Sequence, residues 1–101
     1  MNTLDRLQAH LKTPIKYGHK DLAPRVECVD GFTMSVQASK FHYCTSRSDI
    51  GPYTTVEVHH CGSIPEWEEF SDNGNGPYAY LPIDLVVAKI ELHGGFKETS
   101  P

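Results

Sequence analysis

Arg25-Val26-Glu27-Cys28-Val29-Asp30-Gly31-Phe32-Thr33-Met34-Ser35-Val36-Gln37-Ala38-Ser39 is the stretch on which the fold turns. Asp30-Gly31 lies between two runs of strand formers, the pattern of a hairpin with a two-residue turn, because these residues accept the positive φ that such a turn demands. In the second run Phe32, Met34, Val36 and Ala38 alternate with Thr33, Ser35, Gln37 and Ser39. Successive side chains on a strand point to opposite faces, so this strand packs through one side only.

Downstream, Phe41-His42-Tyr43-Cys44 extends the strand past a bulge, and residues 46–52 form a turn-rich loop ending in Gly51-Pro52. Residues 53–59 read as a third strand, antiparallel to the second, with Thr54, Val56 and Val58 on one face. Pro65 opens a single helical turn over Glu66-Trp67-Glu68-Glu69-Phe70. Ser71-Asp72-Asn73-Gly74-Asn75-Gly76-Pro77 is a run of turn formers and reads as a mobile loop. Tyr78-Ala79-Tyr80-Leu81 is a short strand, after which Pro82 starts a helix whose Ile83, Val86, Val87 and Ile90 form a buried stripe. Gly94-Gly95 stops it in the left-handed cap position.

Upstream, Asn2 or Thr3 caps a helix whose Leu4, Leu7 and Leu11 share a face, with Asp5 early and Lys12 late to suit the helix dipole. The connection through residues 13–24 has no clear period and reads as an ordered loop. The expectation is an α+β fold: a small antiparallel sheet of three to four strands with an N-terminal and a C-terminal helix on one face. One domain covers residues 1–101: helix and loop 1–24, antiparallel strands 25–60, acidic insertion 61–77, strand and C-terminal helix 78–95, and tail 96–101.

A chain of 101 residues is too short for two cores. With 39% apolar and 22% charged residues it has the composition of a folded domain. No apolar run is long enough to span a bilayer, and Met-Asn-Thr-Leu-Asp does not open like a secretion signal, so the expected location is the cytoplasm. Cys28, Cys44 and Cys61 are odd in number and read as reduced thiols. Seven Lys or Arg face four acids in residues 1–47, and two face nine in residues 48–101. Residues 48–88 hold no Lys or Arg, yet contain Asp49, Glu57, Glu66, Glu68, Glu69, Asp72 and Asp84. One side of the molecule is therefore expected to be acidic.

Catalytic signatures are missing from the sequence. There is no Gly-x-Ser-x-Gly elbow, no catalytic-cysteine context and no phosphate-cradling loop, and the expectation is a protein that is not an enzyme and uses no cofactor. His42 and Cys44 on one strand and His60 and Cys61 near the next offer the ligand types of a zinc site, although their spacing matches none of the common patterns. Exposed histidines beside a partly buried thiol explain the same residues. Direct nucleic-acid binding is not expected from an acidic chain whose cations are scattered. An acidic surface does suit a basic groove that ordinarily takes a phosphate backbone. Trp67 among Glu66, Glu68, Glu69 and Asp72 has the composition of a contact site, with the plainer alternative that Trp67 and Phe70 staple the insertion to the core.

Ser35-Val36-Gln37-Ala38-Ser39, His42-Tyr43-Cys44 with Arg47, Gly51-Pro52-Tyr53, Val56-Glu57-Val58, Tyr78-Ala79-Tyr80-Leu81-Pro82 and His93-Gly94-Gly95 form a pattern that resembles a set of small bacteriophage- and prophage-encoded proteins of unassigned activity. The first helix and the acidic insertion fall outside it. The resemblance implies a genomic context and no catalytic residue. By analogy with small phage inhibitors of host defence, anti-CRISPR proteins among them, it implies a binding protein, monomeric or a small homo-oligomer, whose partner is a host protein or ribonucleoprotein with a basic surface and not a membrane. The alternative is a small metal-binding or phage-housekeeping domain built on His42, Cys44, His60 and Cys61.

Overall fold

A computed structural model describes residues 2–11, 15–17, 20–22, 25–38, 44–45, 52–60, 64–72 and 75–97. The chain opens with α1 (Thr3–Leu11), followed by a two-stranded hairpin of β1 (Ile15–Tyr17) and β2 (Lys20–Leu22). The main sheet comprises β3 (Val26–Glu27), β4 (Thr33–Gln37), β5 (Thr55–His59), β6 (Ser71–Asp72) and β7 (Asn75–Pro82). Its order is β3-β4-β5-β7-β6, and every pairing is antiparallel. A 3-10 helix (Pro65–Phe70) precedes β6, and α2 (Ile83–Leu92) follows β7. The fold is α+β, with α1 and α2 packed together.

Asn2 takes the cap of α1: its Oδ1 accepts the Asp5 N–H at 2.8 Å, satisfying one of the donors a helix start leaves open. Leu7 and Leu11 are buried on the same core as Ile83, Val86 and Ile90 of α2 and Met34, Val36, Val56, Val58 and Leu81 of the sheet. Gln8 ties α1 to the entry of β5 through both ends of its amide, donating to the Tyr53 carbonyl at 2.8 Å and accepting the Tyr53 N–H at 3.1 Å.

Five local expectations change. The β3–β4 turn has three residues, Val29, Asp30 and Gly31. Cys28 N–H still bonds the Phe32 carbonyl at 2.8 Å, and Gly31 sits at φ 97°, the left-handed residue of a turn-plus-bulge loop. Residues 15–17 and 20–22 pair as strands where a loop was expected, each too short to show alternation. Within the run read as a mobile loop, residues 71–72 and 75–77 belong to strands, while 73–74 lie outside the described residues: Ser71 pairs with Tyr78 and Asp72 with Asn75, and the register shift between them absorbs Gly76 and Pro77 in a bulge, the place within a sheet where proline is tolerated. The tail starts as an edge segment: Cys28 bridges Phe96, and Lys97 N–H bonds the Glu27 carbonyl at 2.8 Å. The polar face of the sheet is also covered locally, since Gln37 and its cross-strand partner Glu57 are buried.

Between Val56 and Val58 the β5–β7 register slips, giving β7 one extra residue opposite Glu57. Tyr80 lies in that bulge at φ 52°, a conformation that an L side chain adopts at a cost and glycine adopts freely. Two substitutions that both delete the ring isolate that cost. Tyr80→Gly is expected to be more stable than Tyr80→Ala by about 1 kcal/mol in chemical denaturation, the reverse of the order in a regular strand. An alanine variant equal to or above the glycine variant would show that the backbone there is not strained.

Candidate functional site

The acidic segment is built around a three-residue repeat. In a 3-10 helix side chains at i and i+3 eclipse, so Trp67 and Phe70 share the inward face, Glu66 and Glu69 share one edge, and Glu68 occupies the third. Pro65 occupies the start, where its fixed φ suits the helix and its missing N–H costs nothing. Trp67 is only 2% exposed and meets Tyr78 edge-on, with ring centroids 5.8 Å apart at 79°. The Tyr78 hydroxyl accepts the buried Ile64 N–H at 2.7 Å, and Ser71 closes the far end by donating its hydroxyl to the Glu68 carbonyl at 3.0 Å. Trp67 is thus the pin of the site and not a surface contact, while Glu66, Glu68 and Glu69 are exposed around it. Asp72 contributes backbone to β6, and its side chain lies outside the described residues.

The negative charge is not uniform. Lys89 of α2 pairs with Glu66 and lies over the Trp67 ring, 5.4 Å from its centroid. The bond from Lys89 holds the Glu66 carboxyl below the usual carboxylate range. Lys89 stands one residue beyond the cation-free run 48–88, so linear charge counting places it outside the acidic region while the fold places it inside. Glu68, Glu69 and Asp84 are exposed and have no ion-pair partner among the described residues. Between the 3-10 helix and α2 lies an open groove of about 490 Å³, lined by Glu66, Trp67, Leu85, Ala88, Lys89 and Leu92.

No protein-family model, curated protein or solved structure matches the chain. Among the described residues no helix is long and apolar enough to cross a membrane.

Of the four candidate metal ligands, His42 and Cys61 lie outside the described residues. Cys44 is buried, and His60 stacks on Phe32 with centroids 5.0 Å apart. Among the described residues no three His, Cys, Asp or Glu side chains gather as metal ligands do. His60 belongs instead to a cluster that the sequence did not suggest. Phe32 stacks with both His60 and His93, the latter at 4.0 Å and 7°, and Asp30 Oδ2 lies 2.7 Å from His93 Nδ1. The Phe32 N–H, donating to Asp30 at 3.0 Å, and then the His93 ring hold the Asp30 carboxyl below its ordinary value. The nearby Cys28 thiol is pushed up by burial and then by the Asp30 charge, which makes it a poor nucleophile.

Two measurements check these electrostatics. In a carboxyl NMR titration Glu66 is expected to titrate below its ordinary value and to return towards it in Lys89→Met; a Glu66 midpoint unmoved by the substitution would remove Lys89 as the cause. For Asp30 the folded pKa lies below the unfolded one, so its contribution is present in full above the ordinary carboxyl value of about 4 and is lost as pH falls through the folded pKa. The substitution Asp30→Asn keeps an oxygen acceptor for the Phe32 N–H and removes the charge. Parent and Asp30→Asn denaturation midpoints are therefore expected to differ at neutral pH and to converge on acidification below about pH 4, whereas a gap independent of pH would assign the effect to shape.

Proposed function

We propose that the protein acts by binding: its pinned 3-10 helix presents carboxylates to a basic surface on a host macromolecular machine, one that ordinarily holds a phosphate backbone, and so inhibits it in the cytoplasm. One observation carries the reading. Glu68 and Glu69 are exposed without a cationic partner among the described residues, on a helix whose Trp67 is locked in the core. Charges held on a rigid element keep their spacing and lose little conformational freedom on docking, whereas the same charges on a loose loop would first have to be ordered. The resemblance to phage-borne proteins supports a defence ribonucleoprotein of the CRISPR type as the partner class.

The test uses purified effector ribonucleoproteins of that type and their labelled target DNA. The parent is expected to compete with the DNA, and Glu68→Lys with Glu69→Lys to weaken that competition at least tenfold while the fold, read by circular dichroism, is unchanged. Equal competition by the charge-reversed variant, or no competition by either protein, would overturn the proposal.

A further inference from the structure

The groove beside the acidic helix has a chemistry of its own. Leu85, Ala88 and Leu92 fall at i, i+3 and i+7 of α2, on one stripe about 10 Å long at 1.5 Å per residue. Leu85 is 39% and Leu92 73% exposed, although the opposite face of the same helix buries Ile83, Val86 and Ile90. Leu85 and Leu92 therefore leave apolar surface in water on the face of α2 that the core does not use. At 100° per residue, Asp84 and Glu91 border the stripe on the edge away from Lys89, and Glu91 accepts a bond from Thr3 of α1 at 3.5 Å. On the other side the wall is the 3-10 helix, where Glu66 is neutralised by Lys89 but Glu69, one turn along the same edge, is not. Helix periodicity thus sets the apolar stripe of the groove between carboxylate-bearing positions, Asp84 and Glu91 of α2 on one side and Glu69 of the 3-10 helix on the other.

From this geometry we infer that the groove docks a cationic amphipathic helix of a partner protein, its apolar residues on the leucine stripe and its lysines or arginines facing Glu69 on one side and Asp84 and Glu91 on the other. The inference rests on the binding role proposed above and names the chemistry of the partner. Charge complementarity selects this occupant over a second copy of the chain: a two-fold pairing of the stripes would bring the flanking carboxylates together in a protein of net charge -4. Apolar contact fixes the helix in the groove, and the flanking carboxylates fix its sign.

Trp67 is the only tryptophan of the chain and lines the groove, so its emission reports occupancy. The probe is a tryptophan-free leucine/lysine peptide, roughly 14 residues long or about four helical turns, with leucines on one face. Two controls replace its leucines by serine or its lysines by glutamate. Saturable binding of the leucine/lysine peptide is expected, weakened at least tenfold by Leu85→Ser with Leu92→Ser, positions whose exposure leaves the fold intact, and independently by Ala88→Arg. Equal affinity for the serine/lysine peptide, no binding of the leucine/lysine peptide, or no loss in these variants would overturn the groove and leave the acidic-surface reading standing. Equal affinity for the leucine/glutamate peptide would overturn both. A dimer of the free protein in sedimentation that Leu92→Ser dissociates would assign the stripe to a second copy and overturn the inference.

Discussion

Burial of the Trp67 ring in a T-shaped contact with Tyr78 is the interaction on which the acidic side of this molecule depends. An indole removed from water contributes roughly 4–6 kcal/mol of transfer free energy, from 150–250 Å² at about 25 cal/mol per Å². A whole domain of this size retains only about 5–15 kcal/mol. No hydrogen bond of a six-residue 3-10 helix approaches that contribution, because intrinsic helix stability at this length is negligible. The ring also seats Lys89, which reaches Glu66 across it, and it floors the groove beside α2. Tyr78 belongs to β7, the strand between β5 and β6, so the pin fastens the 3-10 helix to the interior of the sheet and not to its margin.

The opposite end of α2 is fixed by a different constraint. Gly94 and Gly95 both adopt positive φ, and a side chain at Gly94 would place its Cβ 3.1 Å from that of Val29. A Cβ there would have to push Val29 aside by a few tenths of an ångström and hold a positive φ, both of which glycine avoids. The exit then bonds Val29 N–H to the Gly95 carbonyl at 3.0 Å and sets Phe96 opposite Cys28, so β3 is flanked on both edges although it has only two residues. Asp30, His93 and Phe32 reinforce the same junction with one hydrogen bond and one ring stack. The two glycines thus position α2, and α2 carries Lys89 and the leucine stripe.

Much of the fold was legible in the sequence because its signals were local and chemically specific: the alternation from Phe32 to Ala38, the cap at Asn2, Pro82 before a helix and Gly94-Gly95 after it. The misread places share a cause. Strands of two or three residues, such as β1, β2 and β6, carry no period and exist through a partner elsewhere in the chain. The loop length at Asp30-Gly31 depended on whether Val29 was paired, which is a tertiary fact. At the candidate site Trp67 was open to two readings, surface anchor or staple. A repeat of three, placing Trp67 with Phe70 and Glu66 with Glu69, was the signal that separates them. Lys89 and Asp30 were beyond local reading, because each acts on a residue more than twenty positions away.

The placement of charge then decides what kind of surface the acidic half can be. Seven carboxylates in a stretch without cations suggest one broad negative face, but the fold divides the five whose side chains are described: Glu57 enters the sheet beside His59, Glu66 is matched by Lys89, and Glu68, Glu69 and Asp84 stay in solvent. A diffuse field of exposed charges is screened within about 8–10 Å at physiological salt and steers encounter more than it holds a complex. Holding requires desolvated apolar contact near the charges. Leu85 and Leu92 line the groove with Glu66 and Trp67 of the 3-10 helix, and its lining cation, Lys89, is occupied by Glu66, so the proposed steering charges and the apolar contact would belong to adjoining elements. Pairing Glu66 with Lys89 lowers the total charge, yet it keeps Lys89 from confronting an incoming cation and leaves the negative potential at the groove edges, where a basic helix would place its own charges.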